Sequence, residues 1–181
     1  MKYHIETNRL VLREMLPIDA PEFFEMDSDP LVHKFLGTKP AENIEEIKKV
    51  IQFVQQQYID NGIGRWSMIE KASGKFIGWS GLKFMKDTYN NKTNFYDLGY
   101  RLLPKHWGKG YATESAIASL RYAFETMRLD EVIGLVNVAN SASQKVLEKS
   151  GMKYIESFDR EGTLHNWLSI TKQEWNTRNH S

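Results

Sequence analysis

The residues most able to do chemistry lie in one short stretch, His106-Trp107-Gly108-Lys109-Gly110-Tyr111-Ala112-Thr113, where a strand pattern gives way to a long helix pattern. Two glycines there let the backbone turn sharply and aim successive N–H groups into one concavity. The first-turn N–H groups of the helix lack intrahelical partners and sit at its positive dipole end. Such a turn can cradle a phosphate or diphosphate. An ordinary glycine-rich turn has the same composition, so the turn alone leaves both readings open. The P-loop pattern fails, because Gly108-Lys109 is followed by Gly110 and no glycine stands at the required upstream position. The dinucleotide fingerprint Gly-x-Gly-x-x-Gly, begun at Gly108, meets Thr113 at its third glycine, and strands of antiparallel character precede it.

Other chemistries have less to work with. The chain has no cysteine, which excludes a thiolate nucleophile, a disulfide and a cysteine-based metal site. The five histidines, His4, His33, His106, His165 and His180, show no metal-ligand spacing, so no metal is expected.

The turn resembles the coenzyme A signature of the GNAT superfamily of N-acetyltransferases. The family pattern Gln/Arg-x-x-Gly-x-Gly/Ala falls on Trp107-Gly108-Lys109-Gly110-Tyr111-Ala112, with Trp107 in place of Gln or Arg. A second signature, Asn-x-x-Ser on a short helix ending Lys-x-Gly-Phe, is similar to Asn140-Ser141-Ala142-Ser143 followed by Lys149-Ser150-Gly151-Met152. Thr7-Asn8-Arg9-Leu10-Val11-Leu12-Arg13 and Ile77-Gly78-Trp79-Ser80-Gly81 resemble the first and third strands of the RimJ/RimL-type branch. Order and spacing together make the likeness specific where each motif alone is weak.

The resemblance implies acetyl-CoA as cosubstrate, with its diphosphate on the N–H groups from Gly108 through Lys109, Gly110, Tyr111 and Ala112 to Thr113. It implies that the pantetheine arm lies along the preceding strand, bonding the backbone of Tyr100, Arg101 and Leu102, with Asn140 bonding it from the neighbouring helix. Asn140 also suits an N-cap, and the two roles are compatible. The family's base position falls on Asp97, whose plain alternative is a strand carboxylate paired with a base such as Arg101. A backbone N–H near Leu98 or Gly99 would polarise the thioester carbonyl. The tyrosine that many members carry seven residues after the asparagine is Leu147 here. Ser143 stands where the branch can use a hydroxyl as acid, and a helix-start role beside a Ser141–Gln144 capping arrangement competes with it.

These residues need a scaffold. Ile5 to Arg13 reads as one opening strand, and Pro17 starts a helix with Asp19, Glu22 and Glu25 on its polar side. Ile44, Ile47, Ile51, Val54 and Tyr58 form an apolar stripe on a helix ending near Asn61-Gly62. Strands follow at 66–70, 76–84 and 95–103, the first two joined by a turn at Ser73-Gly74, with Trp66 and Trp79 suited to pack across that hairpin. A helix from about Gly108 to Met127 leads to an apolar run, 132–138, that suits a central strand. The short helix from Ser141 to Lys149 and strands near 152–158 and 164–170 complete the pattern. The expected fold is α+β, GNAT-like: a mixed, mostly antiparallel twisted sheet of about seven strands flanked by about four helices.

Composition sets the outer bounds. The chain has 181 residues, 41% of them hydrophobic, enough for one domain over 1–181 with a sizeable core. A net charge of +1 excludes general nucleic-acid affinity. The N-terminus lacks a signal-peptide pattern and no stretch reaches the roughly 20 apolar residues of a membrane span, so a cytoplasmic address is expected. The expectation is direct acetyl transfer to a small-molecule amine or a protein N-terminal amine, by a monomer or homodimer. Carboxylates in the early helices and the 157–165 loop (Glu22, Glu25, Asp27, Asp29, Asp159 and Glu161) hint at a cationic acceptor. Two competitors are a non-catalytic acyl-CoA-binding protein of the same fold, permitted by Leu147, and a dinucleotide-binding redox protein.

Overall fold

The computed structural model describes residues 3–179, with side chains from 5 to 178. One eight-stranded sheet has the order β1-β2-β3-β4-β5-β6-β8-β7. Its strands are β1 (Tyr3–Glu6), β2 (Leu10–Glu14), β3 (Arg65–Glu70), β4 (Phe76–Met85), β5 (Phe95–Leu102), β6 (Glu131–Asn137), β7 (Lys153–Arg160) and β8 (Thr163–Thr171). The helices are α1 (Ala20–Asp27), α2 (Pro30–His33), α3 (Ile44–Asn61), α4 (Tyr111–Arg121), α5 (Ser141–Lys149) and α6 (Lys172–Asn179). Every pairing is antiparallel except that of β5 with β6.

The sheet is sandwiched. On one face, Ala116 and Leu120 of α4 pack with Trp66, Met68, Leu82, Leu98, Leu102, Val132 and Val136. On the other, Phe23 and Met26 of α1 and Ile47, Ile51 and Val54 of α3 pack around Phe76. The stripe on α3 is thus the buried one, each side chain contributing about 1.5–3 kcal/mol. Asn43 caps that helix by accepting from the Glu46 N–H, and left-handed Gly62 ends it.

The structure departs from the sequence reading where side-chain partners far along the chain decide. The opening segment is a hairpin of two strands, because Thr7 turns the chain and its hydroxyl accepts the Leu10 N–H at 2.8 Å. This raises the strand count to eight. The long helix ends as a π-helical turn, Tyr122–Thr126. Helix α6 carries no apolar stripe and escaped the sequence reading; Trp175, packed 5.7 Å from the Phe124 ring, is its buried apolar anchor, with Glu174 bound to Lys153 and Arg178 to the Lys149 carbonyl. Asp19 is not on a solvated face. It is 2% exposed, bound by both Arg13 Nη atoms at 2.5 and 2.7 Å and by the Ser67 hydroxyl. Trp66 and Trp79 do not pack on each other. Trp66 pairs with Ser80 and Trp79 with Ser67, which places the two indoles on opposite faces.

One irregularity positions everything that follows. β5 pairs with β4 along its whole length but with β6 only at Asp97↔Ile133. Beyond that rung the two parallel strands part, leaving one edge of β5 without a ladder. Backbone N–H and C=O groups there face a gap and need partners from a ligand or water.

Candidate active site

At the far end of the gap, the glycine turn is set as a cradle. Gly108 and Gly110 both have left-handed backbone, φ 71° and 81°, and Gly110 is the N-cap of α4. The first helical bond runs from the Glu114 N–H to the Gly110 carbonyl. The N–H groups of Gly108 to Thr113 therefore have no partner among the described residues. A Cβ on Gly108 would meet nothing within 4 Å, so the concavity is open. The turn is braced from the first hairpin: Arg9 donates to the Lys109 carbonyl at 2.9 Å and to Glu114 at 2.6 Å, and its guanidinium lies 4.4 Å from the Tyr111 ring centroid. Tyr111 in turn donates to Glu70. Trp107 is 48% exposed and anchors the turn through its indole N–H, bonded to the Leu102 carbonyl at 2.8 Å. That bond occupies the Leu102 carbonyl, and the backbone groups of Gly99 and Arg101 face β4, because the Leu103 N–H bonds the Ile77 carbonyl and bonded pairs recur at every second residue of that ladder; Tyr100 carries the free part of the strand edge.

At the near end, a cavity of about 290 Å³ passes through the gap. Leu98, Tyr100, Asn140, Ser143 and Leu147 line it on the α4–α5 side, and Arg65, Trp79, Asp97, Arg101, Arg160 and His165 on the other. Phe35, Leu36 and Thr38, following α2, close it from the side of the early helices. Asp97 pairs with Arg65, not Arg101. Arg65 Nη2 donates to Asp97 Oδ2 at 2.5 Å, and Nη1 donates to the Asp97 and Gly81 carbonyls. Both side chains are little exposed, 11% and 13%. Burial pushes the Arg65 guanidinium down from its usual value and the Asp97 charge offsets this in part. The second carboxylate oxygen, Asp97 Oδ1, is buried with no hydrogen-bond partner among the described residues. A buried acceptor left open in this way is a place for a proton or a hydrogen-bond donor.

Arg65 reaches Asp97 because a rung of the sheet is emptied for it. Arg65, Gly81 and Gly99 stand opposite one another on three adjacent strands. A Cβ on Gly99 would lie 2.7 Å from Arg65 Nη2 and 2.9 Å from Cζ. The sequence reading placed Gly99 near the chemistry but missed its partner, and facing glycines on neighbouring strands were the available signal.

Helix α5 supplies the opposite wall. Asn140 is its N-cap, Oδ1 accepting the Ser143 N–H at 3.1 Å. The Ser141–Gln144 arrangement does not form, since the cap is one residue earlier and Gln144 is bonded to Glu148 and Asn166. The Tyr100 hydroxyl donates to the Ser143 carbonyl at 2.7 Å and lies 3.1 Å from Ser143 Oγ. Burial pushes the Tyr100 phenol well above its usual range, so it stays a donor. Leu147 is core, packed against Gly134.

Known proteins resemble this chain in sequence and in fold. Residues 9–153 match the model of the acetyltransferase (GNAT) domain. The chain belongs to the GNAT acetyltransferase family. It is 34% identical to the FsC-acetyl coenzyme A-N(2)-transacetylase of Aspergillus fumigatus, over 90% of this chain and 74% of that one. It is 30% identical to the uncharacterized N-acetyltransferase p20 of Bacillus licheniformis, over 89% and 85% of the two chains. The fold matches the GNAT-family acetyltransferase of Bacillus anthracis with a TM-score of 0.78 at 23% identity, covering 93% and 98%.

This GNAT protein is an acetyl-CoA-dependent acyltransferase, and its residues fit that cosubstrate: an open N–H cradle, a strand edge with free amide groups, and a cavity at the end of that edge. A single parallel pair in the sheet removes the dinucleotide-binding alternative, which needs a run of parallel strands. Among the described residues no cluster could hold a metal ion, and no helix is long and apolar enough to cross a membrane. Of the histidines, His165 lines the cavity, with Nδ1 bonded to the Thr163 carbonyl at 2.9 Å. His33 is buried against Thr38, and His106 is partly buried near Tyr111. His180 lies outside the described residues, as does the His4 side chain.

Proposed function

We propose that this protein transfers acetyl from acetyl-CoA directly to a primary amine, as a one-domain N-acetyltransferase of RimJ/RimL type. The observation that carries this reading is the buried, unpartnered Asp97 Oδ1 at the apex of the β5–β6 gap. Acetyl-CoA supplies the activated thioester. The cradle from Gly108 to Thr113 and Lys109 receives its diphosphate, and the free edge at Tyr100 aligns its amide arm, with Asn140 beside it. Asp97 Oδ1 takes a proton from the amine, directly or through water, while Oδ2 stays fixed by Arg65. The N–H groups of Leu98 and Gly99, expected near the carbonyl, lie in the β6 and β4 ladders, and the free strand N–H beside it is that of Tyr100. On the opposite wall, the Ser143 hydroxyl, held by Tyr100, offers a proton to the leaving thiolate. A base on one side of the sheet and an acid on the other suit a single direct displacement. The absence of cysteine agrees, since no cysteinyl acetyl intermediate can form.

The acceptor is a small-molecule amine or a protein N-terminal amine. Four of the six carboxylates that hinted at a cationic acceptor are engaged elsewhere: Glu25 pairs with Lys105, Asp27 with Arg101, Asp29 caps α2, and Asp159 holds the Gly162 N–H. None of them lines the cavity. The test is a thermal-shift titration with acetyl-CoA, CoA and NAD, followed by thiol release across an amine panel. Stabilisation by acetyl-CoA with amine-dependent thiol release is expected. Binding without release from any amine would favour the non-catalytic acyl-CoA-binding alternative, and no stabilisation would remove the cradle.

A further inference from the structure

The acceptor side of the cavity carries more positive charge than its own carboxylates balance. Arg65 is neutralised by Asp97, and Arg101 by Asp27 at 2.8 Å. Two cations remain. Arg160, half-buried at the end of β7, lines the cavity and stacks 4.8 Å from the Tyr89 ring centroid. Among the described residues it makes no ion pair and no hydrogen bond, although Asp159 and Glu161 flank it in sequence. Lys83, half-buried on β4, stands opposite Asp97 on the same face with its ammonium 5.9 Å from the Phe53 centroid, also without an ion pair. Burial and the neighbouring Arg65 and Arg160 push the Lys83 ammonium down, while Asp97 and Asp87 act the other way without contacting it. A half-buried guanidinium held in place by an aromatic ring, with its donors unspent beside a cavity, is preorganised for a planar anion.

Resting on the transferase reading above, we infer that the acceptor is an amine that also carries a carboxylate, an amino acid or a close derivative, whose carboxylate is bound by Arg160 while its amine meets Asp97. Asn137 of β6 and His165 of β8 line the cavity on the strands between the two ends, and Trp79, with Arg65 and Arg101 centred 5.4 and 5.1 Å from its ring, lines it beyond Asp97. A polyamine would bring further positive charge to a wall that already holds the unpaired Arg160 guanidinium, with Lys83 close behind it, which disfavours it by like-charge repulsion.

The experiment uses matched acceptors, β-alanine against ethylamine and phenylalanine against phenethylamine, compared at equal free-base concentration. The carboxylated member of each pair is expected to show a kcat/KM higher by about tenfold or more. Arg160→Gln should bring that ratio to about one while leaving the KM for acetyl-CoA unchanged. A second readout does not depend on turnover: in the presence of CoA, N-acetylphenylalanine should raise the melting temperature and N-acetylphenethylamine should not, a difference that Arg160→Gln abolishes. Equal use of both members, or a preference that survives Arg160→Gln, overturns the inference and leaves the transferase reading intact. Arg160-dependent binding of N-acetylphenylalanine without any thiol release overturns the transferase reading and leaves the anion site standing. A raised acetyl-CoA KM in Arg160→Gln would instead assign that residue to the cosubstrate and overturn the inference.

Discussion

Replacing Asp97 by asparagine separates two functions carried by one carboxylate. Oδ2 neutralises Arg65, and Oδ1 is open in the cavity. Asparagine keeps the shape but leaves the Arg65 guanidinium buried without a counter-charge and can turn an amide N–H, a donor, toward the cavity. Losing one member of a buried ion pair costs roughly 3–5 kcal/mol, and the amide oxygen still available to Arg65 puts this variant near about 3. At ~2–4 °C per kcal/mol for a chain of this size, the melting temperature should fall by roughly 6–12 °C. Removing a positioned proton acceptor should lower kcat by roughly 10²–10⁴-fold. The control is Asp19→Asn, which breaks a pair with Arg13 that is buried more deeply and lies outside the cavity. Both variants should lose comparable stability in thermal unfolding. Only Asp97→Asn should lose thiol release, assayed at a temperature where both are folded. If Asp97→Asn retains the rate of Asp19→Asn, the carboxylate is merely the counterion of Arg65 and the catalytic assignment is wrong. If neither variant melts earlier, the reasoning about buried pairs fails.

Gly99→Ala should displace the Arg65 guanidinium, since the new Cβ would sit 2.7 Å from Nη2; a loss of about 1–3 kcal/mol in urea unfolding, with a matching fall in kcat, is expected. Arg9→Ala removes the brace on the glycine turn and should raise the KM for acetyl-CoA several-fold with little change in the KM for the amine, read from initial rates. Ser143→Ala should lower kcat by roughly 10²-fold if the hydroxyl protonates the thiolate, whereas Tyr100→Phe should lower it less because it only loosens the serine. Burial opposes the ionised form of Glu114, but hydrogen bonds from Thr7 and Arg9 outweigh it and hold the carboxyl below the usual carboxylate value. Its contribution to stability is therefore fully present above about pH 4.3 and is lost as the pH falls through the folded-state value. Urea denaturation at pH 5 and pH 3 should show a smaller drop for Glu114→Gln than for the unaltered chain.

Local chemistry wrote much of this molecule into its sequence. The α3 stripe follows from the 3.6-residue period, the strand run from 65 to 102 from the period of two, and the cradle from Gly108 and Gly110, whose left-handed backbone suits residues without a Cβ. Asn140 was legible as a cap for the same local reason. What the sequence could not supply were contacts between residues distant along the chain. Arg65 and Asp97 are 32 positions apart, and only the β3–β4–β5 register lays one across Gly99 to meet the other. Arg9 reaches Lys109 across the first hairpin, and Arg160 lines the cavity although β7 lies two strands away from the gap, beyond β8. The carboxylates that looked free in one dimension, Asp19 and Asp27 above all, are consumed by arginines brought to them by folding. Periodicity and turn chemistry act over a few residues, so sequence alone determined most of the elements and the phosphate-sized turn, but not the first hairpin or α6. Charge pairing acts through space, so the tertiary structure alone decided which carboxylate oxygen stays open and which arginine is left unpaired.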